Sequence, residues 1–209
     1  TVFSYPDQVD GVADGAGDGS VDVEIGFGYD GVYSAAVAGI EAGFSASGNS
    51  SALDPVAAWC ADLPAMSHFR SAMFDEDTSD PGNDDLDIEV FYLPNGCGNF
   101  AGYSLMGGSY TPTSEESVDV ANAPAGGYHV QVYYFAASNG TDSDYTLWYQ
   151  PVLGDNGNTT VTAPASAEFG AATVTVDYTG VAPTRNLGVL IHSDDGGEMG
   201  RTVLSIDGR

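Results

Sequence analysis

Oxygen-bearing side chains crowd the sequence around Pro81 and Gly82: Asp75, Glu76, Asp77, Asp80, Asn83, Asp84, Asp85 and Asp87. Calcium in proteins takes about six to eight oxygen ligands, and turns between strands often supply them. The stretch predicts a calcium site, although its spacing is not that of an EF-hand loop. The predicted ligands are Asp75, Asp77, Asp80, Asn83, Asp84 and Asp87. A solvated acidic loop without metal is the competing interpretation in so acidic a chain.

Aromatic pairs on two predicted strands suggest a second kind of site. Tyr133 and Tyr134 follow each other in one strand, as do Trp148 and Tyr149 in another. Exposed rings on a flat sheet can stack against sugars or against a protein surface. Alternation along a strand should turn half of them inward, so packing into the core is the competing interpretation.

Two cysteines, Cys60 and Cys97, have no CxxC spacing and no histidine nearby in sequence. An even count in a chain of secreted character predicts one disulfide. Two free buried thiols are the alternative.

The sequence lacks the motifs of the common hydrolytic sites, so it predicts no catalytic residue. Its three histidines, His68, His129 and His192, fall in or beside predicted strands, and no Gly-x-Ser-x-Gly turn occurs. A serine protease needs an activated serine beside a histidine and an aspartate. A zinc site would need histidine and cysteine at close spacing, which is also missing.

The charge of the chain excludes two classes of partner. Thirty acidic side chains face four arginines and no lysine, which gives a formal net charge of −26. Nucleic acids and anionic membranes are bound through lysine and arginine, so we expect neither as a partner. Such self-repulsion is screened by salt, which fits a saline habitat.

Composition and periodicity predict an all-β protein of two modules. The 209 residues include 28 glycines and 10 prolines, and 11% are aromatic, which favours short strands and tight turns. Leu86, Ile88 and Val90 alternate with Asp87 and Glu89, the period of a strand with one buried face. Residues 43–58 are small and polar, and predict an irregular connection or a helical turn.

The order of motifs in the middle of the chain resembles the bacterial pre-peptidase C-terminal domain. The motifs are Asp84-Asp85-Leu86-Asp87-Ile88-Glu89-Val90, Pro94-Asn95-Gly96, Ala125-Gly126-Gly127-Tyr128 and Tyr145-Thr146-Leu147. The last block, Val176 to Leu190, is similar to the fibronectin type III-like domain that ends many secreted subtilases. The resemblance implies a jelly-roll-like antiparallel β-sandwich followed by a small fibronectin type III-like sandwich.

The expected domains are 1–152, with an N-terminal hairpin extension, and 153–209. The second is near the lower size limit for independent folding and is a candidate to borrow strands from 20–40.

The resemblance also implies a role. Such segments follow a subtilisin-type catalytic domain, are exported with it and carry no catalytic residues. Thr1 to Tyr5 do not resemble an export signal, so we expect a secreted fragment of a longer extracellular protein. The expected partners are its own protease domain and an insoluble protein substrate or a surface polysaccharide. The alternative is a carbohydrate-binding or adhesive module without a protease.

Overall fold

The computed structural model describes residues 3–209 and confirms the all-β prediction. Sixteen strands and one short 3₁₀ turn, Asp75–Asp77, make up the regular structure of that range. The strands separate into two compact units, one formed by 44–151 and the other by 1–43 together with 152–209. We refer to them as the inner unit and the outer unit, because the first is inserted in the sequence of the second.

The inner unit is a sandwich of two four-stranded antiparallel sheets. Its strands are β5 (Phe44–Ser51), β6 (Val56–Leu63), β7 (His68–Met73), β8 (Asp85–Leu93), β9 (Ser104–Ser109), β10 (Glu116–Ala121), β11 (Gly126–Ala136) and β12 (Asp142–Val152). The sheet orders are β10-β7-β12-β5 and β6-β11-β8-β9. Apart from the step from β8 to β9, each strand lies in the other sheet from the one before it, as in a jelly roll.

Hydrophobic burial explains the positions of the two central strands of the second sheet. Leu86, Ile88 and Val90 of β8 are fully buried, as are Val130 and Val132 of β11. They pack into one core with the inward side chains of β7 and β12. The predicted two-residue period of β8 is therefore correct, and its acidic positions point away from the core.

The outer unit takes strands from both ends of the sequence. They are β1 (Phe3–Ser4), β2 (Gln8–Val12), β3 (Gly19–Phe27), β4 (Ser34–Ala42), β13 (Thr159–Thr162), β14 (Gly170–Tyr178), β15 (Arg185–Asp194) and β16 (Gly197–Asp207). They form the sheets β1-β3-β14-β13 and β2-β16-β15-β4. The pair β2 and β16 is parallel, which departs from the antiparallel pattern expected.

The predicted boundary at 152/153 was wrong for the first 43 residues. β3 pairs with β14 along nine residues, and β4 pairs with β15. Val21, Val23 and Ile25 are buried with Val174 and Val176 in the core of the outer unit. The C-terminal segment 153–209 is thus not a separate unit, because its strands bury their apolar side chains against those of β3 and β4. Residues 20–40, from which this segment was predicted to take strands, contribute about half of the core of the outer unit.

The prediction for 43–58 was also wrong. The stretch forms β5 and the start of β6, joined by a short turn at 52–55. Small and polar residues are accommodated because β5 is an edge strand that pairs only with β12 in the described sheet. No helix within the described residues is long and apolar enough to span a membrane.

The disulfide predicted from the cysteine count is present. Cys60 and Cys97 are bonded, with their Cα atoms 5.9 Å apart. The bond joins strand β6 to the loop that follows β8, and it closes a loop of 37 residues.

Removal of this bond should destabilise the inner unit by about 3 kcal/mol, because it restores chain entropy to the unfolded state. The test is urea unfolding of a C60S/C97S variant against the oxidised wild type, followed by circular dichroism. Reducing agent should lower the wild type to the level of the variant. A change below about 1 kcal/mol would contradict the expectation.

Candidate binding face

The outward side chains of β8 and β11 form a mixed aromatic and polar surface. Opposite pairs across the two strands are Phe91 with His129, Glu89 with Gln131, and Asp87 with Tyr133. All six are partly exposed, whereas most of their sequence neighbours on the inner side are buried. We refer to these six residues as the outer face; they belong to the inner unit.

One end of the outer face carries a group of four rings. Phe100 and Tyr103, from the loop between β8 and β9, lie over Phe91 and His129 and are 50% and 56% exposed. The ring centroids of Phe100 and His129 are 5.1 Å apart, and those of Phe91 and Tyr103 are 6.0 Å apart. With Gln131 these rings line a pocket of about 330 Å³. We call it the aromatic pocket.

A hydrogen bond and the disulfide hold the N-terminal end of the loop that carries Phe100 and Tyr103. The backbone N–H of Cys97 donates to Asp62 on β6 at 2.7 Å, beside the Cys60–Cys97 disulfide. The loop also passes close over Gly127, where a Cβ atom would come within 2.8 Å of the Cys97 nitrogen. A side chain at this position would push the loop away, so glycine is required for the close approach.

Glu89 is the polar centre of the outer face. Its carboxylate accepts hydrogen bonds from the hydroxyls of Tyr110 at 2.5 Å and Tyr133 at 2.7 Å. The Tyr133 hydroxyl also lies against the amide oxygen of Gln131. The hydrogen bond to Glu89 raises the pKa of Tyr110 to about 12, and burial raises the pKa of Tyr133 still further. Both phenols are therefore protonated donors at neutral pH.

The other end of the outer face carries a cluster of carboxyl side chains. Burial, with the nearby Asp85 and Glu116, raises the pKa of Asp87 to about 6. Burial raises the pKa of Asp85 as well. Glu116 is 1% exposed; its Oε1 accepts from the backbone of Thr111 at 2.6 Å, and its Oε2 has no hydrogen-bond partner in the described chain.

The structure gives the predicted calcium ligands separate roles. Buried Asp84 accepts hydrogen bonds from Ser143 at 2.6 Å and from the backbone of Ser138 at 2.9 Å. Asp77 accepts from the Trp148 indole, and Asp80 from Asn83. Between residues 3 and 209, no group of three or more His, Cys, Asp or Glu side chains is arranged to hold a metal ion. The six residues are not brought together as one ligand set.

The predicted aromatic surface was largely wrong. Tyr149 and Trp148 are 2% and 8% exposed, and Tyr134 packs against the core. Tyr149 packs into the core, and the Trp148 indole on the opposite face of β12 contacts Asp77. Tyr133 alone of the four belongs to the outer face. Phe91 was missed although its alternation with Glu89 marks it as outward, whereas Phe100 and Tyr103 lie in a loop without periodicity.

The three histidines have different surroundings. His68 contacts Asp119 at 2.7 Å, next to the Arg70–Asp119 ion pair. His192 is fully buried between the hydroxyls of Tyr33 and Thr202, and burial lowers its pKa to about 4. His129 lies in the aromatic pocket, and burial lowers its pKa too.

Comparisons with known proteins gave weak likenesses in structure. No protein-family model matches the chain, and no curated protein does. A pre-peptidase C-terminal domain of a Bacillus anthracis collagenase is 14% identical over 53% of this chain and 91% of its own, with a TM-score of 0.36. It is the type of domain that 84–147 resemble in sequence.

Two further structures are similar at the same level. A periplasmic inhibitor of g-type lysozyme from Aeromonas hydrophila is 14% identical over 53% of this chain and 88% of its own, with a TM-score of 0.34. A family two carbohydrate esterase from Cellvibrio japonicus is 13% identical over 54% of this chain and 35% of its own, with a TM-score of 0.24. None of these likenesses assigns the chain to a family.

The raised pKa of Asp87 predicts a specific pH dependence. The folded state holds the Asp87 proton up to pH about 6, whereas the unfolded state loses it near pH 4. The contribution of Asp87 to stability therefore falls as the pH rises from about 4 to about 6. At pH 7 an Asp87→Asn variant should be more stable than the wild type by about 1 kcal/mol, a value reduced for solvent screening.

Urea unfolding of wild type and variant at a series of pH values provides the measurement. The stability difference should disappear below pH about 4, where Asp87 is protonated in both states. Asp54→Asn, at an exposed turn position, is the matched control for the loss of one surface carboxylate. A difference that does not change with pH would contradict the assignment.

Calcium binding by 75–87 stays a prediction. Calcium should raise the melting temperature, because a ligand of the native state alone stabilises it by mass action. Scanning calorimetry with millimolar calcium, and then with excess chelator, is the measurement, with magnesium as the control. Equal melting temperatures in calcium and chelator would exclude the site.

Proposed function

We propose that this chain is a non-catalytic accessory region of an exported subtilisin-like serine endopeptidase, which attaches the enzyme to an insoluble polymer. The observation that carries this proposal is the outer face: partly exposed rings and polar side chains on a sheet whose other side is fully packed. Such a surface is costly to leave in water and is typical of a place where another molecule binds.

The subtilisin-like parent is supported by the sequence. The motif order of 84–147 resembles a domain that accompanies exported peptidases, and 176–190 resemble the domain that ends many subtilases. The Cys60–Cys97 bond supports export, because disulfides persist in oxidising compartments outside the cytosol. Among the accessory roles of stability, secretion and targeting, the exposed rings favour targeting.

A carbohydrate-binding module is the second candidate. Glu89 and Gln131 lie next to the rings of the outer face, and sugar sites combine stacking rings with a few polar groups that bind hydroxyls. A module of this kind would serve an extracellular protein without any protease.

Retention on insoluble polymers tests the proposal. The full chain should sediment with insoluble collagen, and F100A/Y103A should weaken its association about thirtyfold, because each of the two stacked rings contributes about 1 kcal/mol. F169A, at a 77% exposed ring of the outer unit, is the control and should bind as the wild type does. Cellulose and chitin are sedimented in parallel.

Equal retention of F100A/Y103A and wild type on every polymer would overturn the proposed face. Retention on chitin or cellulose alone, lost in that variant, would replace the first candidate by the carbohydrate-binding module. Casein cleavage by the pure chain, blocked by a serine-directed inhibitor, would overturn the non-catalytic role.

A further inference from the structure

The four rings of the aromatic pocket form a closed circuit. Successive centroids, in the order Phe91, Tyr103, Phe100, His129 and back to Phe91, are 6.0, 6.3, 5.1 and 6.3 Å apart. A group held between them lies within the roughly 6 Å of each centroid over which a cation is attracted to a ring. The four rings therefore line one pocket within reach of a single bound group.

The inclinations of the rings matter as much as their distances. Neighbouring planes in the circuit meet at 58°, 74°, 82° and 52°. The inclined rings do not form one extended flat platform on which several sugar units of a chain could stack side by side. A compact round group such as an ammonium or the end of a guanidinium contacts inclined walls on all sides.

The charge around the pocket has the sign that a cation requires. Glu89 lies two residues from Phe91 on the same side of β8, and Asp62 holds the loop that carries Phe100. None of the four arginines of the chain falls in β6, β8, β9 or β11, and there is no lysine. Burial keeps the pKa of His129 below its usual range, so that its ring is neutral at pH 7 and does not repel a cation.

We propose that the aromatic pocket binds the cationic side chains of a protein polymer, the lysine ammonium or the arginine guanidinium, enclosed by Phe91, Phe100, Tyr103 and His129. The inference rests on the proposed attachment function and names the group recognised by the same face. Cation–π attraction supplies the binding, and the surplus of carboxylates raises the local concentration of basic segments.

A pair of probes that differ in the terminal ammonium group tests the inference. Nα-acetyl-lysine amide and Nα-acetyl-norleucine amide have similar side chains, but only the first ends in an ammonium. Each is titrated into the isotopically labelled full chain in about 0.5 M NaCl, which shortens the range of non-specific attraction. The aromatic resonances of Phe91, Phe100, Tyr103 and His129 are followed by NMR.

The lysine probe should shift these resonances and bind at least about tenfold more tightly than the norleucine probe. Phe100→Leu keeps the apolar volume but removes one ring, and should weaken lysine binding roughly threefold to thirtyfold. Phe135→Leu, at another exposed ring of the inner unit, should bind as the wild type does. Thermal unfolding of both variants checks that they fold.

Two results would overturn the inference: equal affinity for both probes, or shifts produced by cellohexaose and not by the lysine probe. The latter would assign the pocket to sugars. The two proposals fail separately. If a polymer retains the wild type but not F100A/Y103A, and the lysine probe does not bind, the attachment function stands and the cationic ligand is excluded. If the lysine probe binds the wild type but no polymer retains it, the cationic ligand stands and the attachment function is excluded.

Discussion

Burial on one side of the β8–β11 pair determines what the other side presents. On the inner side, five apolar side chains are completely shielded from water: Leu86, Ile88, Val90, Val130 and Val132. A shift of register by one residue would place Asp87 and Glu89 in the core, which hydrophobic packing forbids. The same packing therefore holds Phe91 opposite His129 and Glu89 opposite Gln131. The outer face is a consequence of the core behind it.

Local patterns predicted the parts of the structure that depend on local physics. The alternation in β8 follows from a period of two, and the disulfide from two cysteines in a chain of secreted character. The pairing of β3 with β14 joins residues about 150 positions apart, and no local pattern records such a partner. For that reason the boundary at 152/153 failed, whereas the strand period of Leu86, Ile88 and Val90 was predicted correctly.

The same distinction applies to the site. Phe91 was accessible to sequence reasoning because it continues the outward positions of Asp87 and Glu89. Phe100 and Tyr103 were not, since their orientation depends on a loop held by Cys97 and by Asp62 of another strand. Trp148 and Tyr149 misled because Tyr149 faces the core and Trp148 contacts Asp77 of a distant loop, a contact that no local pattern records. Calcium binding by the acidic stretch stays a prediction, and within that stretch Asp84 accepts hydrogen bonds from donors of the protein itself.

The interrupted outer unit constrains the order in which the protein can form during synthesis. Residues 44–151 contain every strand of the jelly roll, so that unit is complete as soon as β12 emerges. β3 and β4 must wait without their partners until β14 and β15 have been made, more than a hundred residues later. During that interval Val21, Val23 and Ile25, later buried, are exposed to water and to other chains. The excess of acidic side chains then also keeps nascent chains apart, because like-charged chains repel one another while their strands are still unpaired.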